Sequence, residues 1–184
     1  MERIIVTGFD AFGKHSLNPT EFAMNHLKNL YSKEQVITLV LPTSYKRSWE
    51  SLKAAIDDHH PKKVIMFGLA HKADDFVFEK IAINHQSATI ADNDDVLIKN
   101  SKIVEGGEDG IFTTLPIKQY IEHCGGRISL SAGSFVCNSL MYNCLRYTKK
   151  MGIEAGFIHV PGESRNQSDI NMFAEKVINF AISK

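Results

Sequence analysis

The chain has 184 residues, and its 21 lysines and arginines are balanced by 21 aspartates and glutamates. That length is enough to bury a sizeable core in one domain spanning 1–184, without disulfides or metal. A formal charge of zero excludes a general nucleic-acid binder, and no run of 18 apolar residues exists to span a membrane.

The opening MERIIVTGFD is a charge pair followed by a strand-like run, not a signal peptide. RIIVTG (3–8) is a buried strand ending in glycine. After a loop at 9–18, Asn18-Pro19-Thr20-Glu21 supplies a helix start with proline placed early, and the helix runs to about Leu30. A strand at 36–41 and a helix at 45–59 follow; Pro61 ends that helix, and KVIMFG (63–68) is a second buried strand. FVFEKIAIN (76–84) alternates as one strand. Residues 85–110, rich in glycine and acidic side chains, read as an excursion or lid. Residues 113–126 form a helix closed by glycines, 127–133 a strand, 136–150 a helix, 155–161 a strand and 168–183 a final helix. The alternation predicts an α/β fold, a single-domain three-layer α/β/α sandwich with a mostly parallel twisted sheet. Sites in such folds gather at the carboxyl ends of strands, here the loops after Gly8, Gly68, Gly133 and His159.

Three residues carry candidate chemistry. Cys137 follows a glycine turn and heads an amphipathic pattern with Leu140, Met141, Cys144 and Leu145 on one face. A thiol at a helix N-terminus meets unpaired N–H groups and the positive end of the dipole, both of which favour the nucleophilic thiolate. Glu79 shares an apolar strand face with Val77, Ile81 and Ile83, where a carboxylate is expensive unless it has a partner. His159 ends a strand just before Pro161-Gly162, the place for a general base in this architecture. A nucleophile, a base and a carboxylate to fix the base's tautomer are the set needed for covalent amide hydrolysis. Each also has a plainer reading as a core thiol, an ion-paired glutamate or a structural histidine.

Gly8 to Lys14 matches the start of a phosphate-binding loop. It fails at His15, where serine or threonine is needed, and Asp10 would repel phosphate. Phe9 and Phe12 on this strand-end loop suit a small, flat, mostly apolar substrate instead. No histidine shows metal-ligand spacing, so no metal is expected. Cys124, Cys137 and Cys144 read as reduced thiols in the cytoplasm.

VTGFDAFGKHSLNPT (6–20), YKRSWESLKAAIDDHHPKKVIMFGLA (45–70), LPIKQYIEHCG (115–125), FEKIAIN, AGSFVCNSLMY and GFIHVP together resemble the pyroglutamyl (pyrrolidone-carboxylate) peptidases. These are cysteine enzymes that remove an N-terminal pyroglutamate, and the likeness runs nearly end to end. It implies a catalytic Glu79, Cys137 and His159, and a ring pocket lined by Phe9 and Phe12 with Asn18, Leu69, Phe135 and Val136 close by. It further implies peptides with N-terminal pyroglutamate as substrates, a homo-oligomer (tetramer or dimer), and no metal or organic cofactor. Some loops depart from the family pattern. Leu69-Ala70-His71-Lys72-Ala73 stands where Gln-Ala-Gly-Gly-Arg is usual, and Ala88-Thr89-Ile90-Ala91-Asp92-Asn93 lacks the usual arginine. Two further readings follow from these departures: a paralogue acting on another small acyl-amide or lactam, or a non-catalytic binding protein.

Overall fold

The computed structural model describes residues 3–13, 17–162 and 164–184. Its centre is a sheet in which β1 (Ile4–Phe9), β2 (Val36–Leu41), β3 (Lys63–Ala70) and β8 (Glu154–Pro161) run parallel. Two short strands complete it, β4 (Val77–Glu79) and β7 (Arg127–Ser129), in the order β2-β1-β3-β8-β4-β7. β4 runs antiparallel to β8, and β7 is parallel to β4. The fold is α/β with a mostly parallel sheet, as the strand–helix alternation implies.

Strands buried on both faces read as continuous apolar runs, and β1 is buried at every residue. The two-residue period sends alternate side chains to two separate cores. Ile4, Val6, Phe67 and Ile158 pack beneath α1 (Pro19–Leu30), α3 (Ile117–Cys124) and α5 (Gln167–Ile182). Ile5, Val64, Met66 and Phe157 pack beneath α2 (Arg47–His59) and α4 (Val136–Thr148). Asn18 caps α1 by accepting the Thr20 N–H at 3.1 Å, with Pro19 in the first turn. Among the described residues no helix is long and apolar enough to cross a membrane.

Three elements differ from their sequence reading. The run 76–84 is not one strand: it breaks at Lys80, and β5 (Ile81–Ile83) leaves for a two-stranded sheet with β6 (Gly110–Phe112). Lys80 is the hinge, its N–H bonded to Ser129 O at 2.8 Å and its carbonyl accepting from Thr113 N at 3.0 Å. The face expected to join Val77 and Glu79 to Ile81 and Ile83 is therefore divided between two sheets. Residues 113–116 are not helical, because the N–H groups of Thr114 and Leu115 are taken by the Ala155 carbonyl; the helix begins only after Pro116. The strand expected over 127–133 stops at Ser129, where serine hydroxyls accept the Ser131 and Gly133 N–H groups and turn the chain.

The excursion at 85–110 folds back on the molecule. Asn84 Oδ1 accepts the Ile103 and Val104 N–H groups, and the Asp92 carboxylate accepts those of Tyr45, Asp94 and Val96.

Candidate active site

The carboxyl end of β8, the amino ends of β4 and β7 and the start of α4 converge on one cleft. In the sheet, Gly68, His159, Val77 and Arg127 form a row of successive register partners. The helix above them begins at Val136, so Cys137 lies in its first turn. Phe135, the capping residue, has an extended backbone and makes no side-chain cap, leaving the first-turn N–H groups to a ligand rather than a protein side chain. Gly133, at φ +79°, makes the left-handed turn that delivers the helix start. Gly68 makes room for the thiol: a Cβ built there would stand 3.0 Å from Cys137 Sγ and 2.6 Å from the Phe157 ring.

His159 and Glu79 are both buried and meet at 2.7 Å between Nδ1 and Oε1. They lie diagonally across the antiparallel β4–β8 ladder, where Val77 faces His159 and Glu79 faces Phe157. With Nδ1 engaged by the carboxylate, Nε2 is left for the Cys137 thiol, the ring's other hydrogen-bond partner. Burial alone pushes the imidazole's pKa down, but the bonds to Cys137 and Glu79 and their charges outweigh it and raise it to about 9. The other Glu79 oxygen, Oε2, is buried with no hydrogen-bond partner among the described residues.

The two remaining thiols are different. Burial pushes Cys144 far up, and it lies wholly inside the core. Cys124 is raised to about 11 by burial, with Lys176 opposing. All three are free.

The cleft is a cavity of about 430 Å³ that holds Cys137, His159 and Glu79 in its lining. Phe9, Phe12, Asn18, Leu69 and Phe135 line it too. Phe12 and Phe135 pack at 5.9 Å, and Phe9 leans on Phe157 at 6.4 Å. Val136 is the exception: its side chain is fully buried in the core under α4 and does not line the cavity, whereas the neighbouring Cys137 does. Lys14 and His15 of the phosphate-loop match lie outside the described residues. Asp10 is a fastening, its carboxylate accepting from Thr43 N at 2.7 Å and Asn93 Nδ2 at 3.1 Å. Asn93 Nδ2 also reaches the Ala11 carbonyl at 2.8 Å, so the excursion holds the aromatic loop in place.

Several contributors carried no sequence signal. Asn138, beside Cys137, is fully buried and pins β5 by accepting Ile83 N–H and donating to the carbonyls of Ile83 and His85. Lys72, on the loop after β3, and Arg127, at the start of β7, line the cavity although their sequence suggests only exposed charge. Among the described residues no cluster of three or more histidine, cysteine or acidic side chains could hold a metal ion.

The arrangement can perform nucleophilic attack on a carbonyl carbon. It has a sulfur at a helix N-terminus, an imidazole to move its proton, a carboxylate to orient that ring, and free amides where an oxyanion would develop. Comparison with known proteins points the same way. A family model described as pyroglutamyl peptidase matches residues 2–171. The pyrrolidone-carboxylate peptidase of Clostridium botulinum is 40% identical over 166 residues, covering 86% of this chain and 78% of that protein. The corresponding protein of Lactobacillus helveticus is also 40% identical over 166 residues, covering 86% and 83%. The crystal structure of Bacillus amyloliquefaciens pyroglutamyl peptidase I superposes with a TM-score of 0.92 at 27% identity, covering 100% of this chain and 98% of that one. A mutant pyrrolidone carboxyl peptidase from Pyrococcus furiosus gives 0.91 at 30% identity, covering 98% of each chain.

Proposed function

The chain belongs to the pyroglutamyl peptidase family, and on that premise we propose that it removes N-terminal pyroglutamate from peptides with Cys137 as nucleophile, His159 as base and Glu79 as the group that orients it. The observation that carries the assignment of roles is the chain of contacts from the Glu79 carboxylate through the imidazole to the thiol, inside a cavity walled by aromatic rings.

His159 takes the thiol proton and the sulfur attacks the carbonyl that joins pyroglutamate to the next residue. The first-turn N–H groups of α4 receive the oxyanion, a contribution of order 10²-fold or more per donor in comparable sites. The imidazolium then protonates the departing amine, leaving a thioester on Cys137. Water, deprotonated by the same ring, hydrolyses it. The lactam ring is neutral, so its recognition rests on packing against Phe9, Phe12 and Phe135 rather than on a counter-charge. The test is hydrolysis of a fluorogenic pyroglutamyl amide by the purified protein, with and without iodoacetamide. Cleavage that survives in Cys137→Ala would remove Cys137 from the mechanism.

A cytoplasmic location and a homo-oligomer, tetramer or dimer, belong to the same proposal. Three unpaired cysteines support the first, and the exposed Ile128 and Leu130 on and beside the edge strand β7 support the second. Mass by light scattering checks the oligomer.

A further inference from the structure

The cavity has two chemically distinct ends, with the reacting groups between them. Following the strand order β2-β1-β3-β8-β4-β7, one end is built on β1 and the loop after it, by Phe9 and Phe12. His159 on β8 stands in the middle. The far end is built on β4 and β7 and carries Arg127, while Lys72 reaches the cavity from the loop joining β3 to β4, whose His71 lies 6.5 Å from the Phe12 ring. Among the described residues Glu79 is the one acidic side chain in the lining, and His159 already engages it.

Arg127 is placed by register rather than by chance. It pairs with Val77, which pairs with His159, so all three side chains leave the same face of the sheet. Its backbone is two strand spacings, about 10 Å, from that of the catalytic histidine. Its partner Asp74 is itself 85% exposed, and the pair is held at 3.2 Å in solvent, where such a contact is weak and readily exchanged for another carboxylate.

A neutral, largely apolar acyl ring belongs against the phenyl groups, so the departing peptide must run over β8 toward the cations. The residue after the scissile bond lies about 3.5 Å further along the chain, which brings a carboxylate on it into the space between His159 and Arg127. We propose that Lys72 and Arg127 form a subsite selecting pyroglutamyl peptides with a carboxylate immediately after the scissile bond. That carboxylate is either an aspartate or glutamate side chain or the chain-end carboxylate of a pyroglutamyl dipeptide. The proposal rests on the pyroglutamyl peptidase reading above and names the leaving group that reading leaves open.

The experiment measures kcat/KM for pyroglutamyl-glutamyl amide, pyroglutamyl-lysyl amide, pyroglutamyl-alanyl amide and free pyroglutamyl-alanine. At low salt the glutamyl amide is expected to exceed the lysyl amide by about fivefold, and the ratio to fall toward one in 0.5 M salt as the charges are screened. In Lys72→Glu/Arg127→Glu the ratio inverts. A gain for free pyroglutamyl-alanine over its amide assigns the subsite to chain ends as well, whereas a gain for the glutamyl amide alone assigns it to side chains. Equal rates for all four substrates, or a ratio indifferent to salt in the wild type, overturn the subsite while leaving the peptidase intact. If wild-type protein cleaves none of the four, the peptidase reading itself falls, and the subsite with it.

Discussion

Cys137 and Cys144 stand seven residues apart on the same face of one helix, and they have opposite characters. The first turn of α4 opens on a cavity, with an imidazole bonded to its thiol and uncapped amides around it. Two turns later Cys144 is fully buried among core side chains with Thr148 beside it, and burial drives its thiol far above the ordinary value. Residue type and helix face are alike in the two regions. Depth and neighbours differ, and these decide whether a sulfur is a reagent or a packing group.

The most direct way to break this contrast is to delete each sulfur. Cys137→Ala is expected to lower kcat/KM on a pyroglutamyl amide by at least about a thousandfold with little change in stability. Cys144→Ala should keep the activity and lose about 1–2 kcal/mol of unfolding free energy in urea. Next in size is Glu79→Gln, which keeps the shape but removes the charge that holds the imidazole; a loss of about a hundredfold in kcat is expected. Gly68→Ala follows, since its methyl group would stand 3.0 Å from Sγ and tighter still on the Phe157 ring; about tenfold or more should be lost from kcat, with the fold retained by circular dichroism.

Labelling sharpens the same contrast without a substitution. With a limiting amount of iodoacetamide at pH 7, mass spectrometry should find Cys137 carboxamidomethylated first, Cys124 slowly and Cys144 only after unfolding. Equal labelling of Cys137 and Cys124 would refute a special environment at the helix start. The smallest expected effect is on stability against pH. A histidine raised in the folded state from its ordinary 6.5 to about 9 contributes stability that is complete below 6.5 and disappears as pH climbs through 9. The stability gap between wild type and Glu79→Gln should therefore narrow between these limits, as read by urea midpoints.

The parts legible in the sequence were those with a single physical author. β1 and β3 are apolar runs whose burial on two faces needs no knowledge of neighbours, and Asn18-Pro19 caps its helix through local bonds alone. The segments that read wrongly were governed from a distance. Alternation in 76–84 is real, but its two halves pair with different strands, β4 with β7 and β8, and β5 with β6. Likewise, the Ala155 carbonyl that holds 114–115 extended is some forty residues away. In the site, the residues whose chemistry conflicts with their surroundings stood out: a glutamate on an apolar strand, a thiol at a helix start. Arg127 and Asn138 did not, since an exposed arginine and a helical asparagine conflict with nothing until the register and the packing are known.

The strand that carries His159 also has a place in time. β8 is the last strand in chain order, yet it is inserted in the middle of the sheet, between β3 and β4. A nascent chain that has emerged only as far as α4 already possesses the sulfur, the carboxylate and most of the cavity wall, but lacks the imidazole. Two unpaired strand edges meanwhile wait for the same missing segment, a period of exposure that favours either rapid closure or capture by another chain. Reactivity and completion of the sheet thus arrive in one event. The Cys137 thiol meets its imidazole only once the strand that closes the sheet has been made.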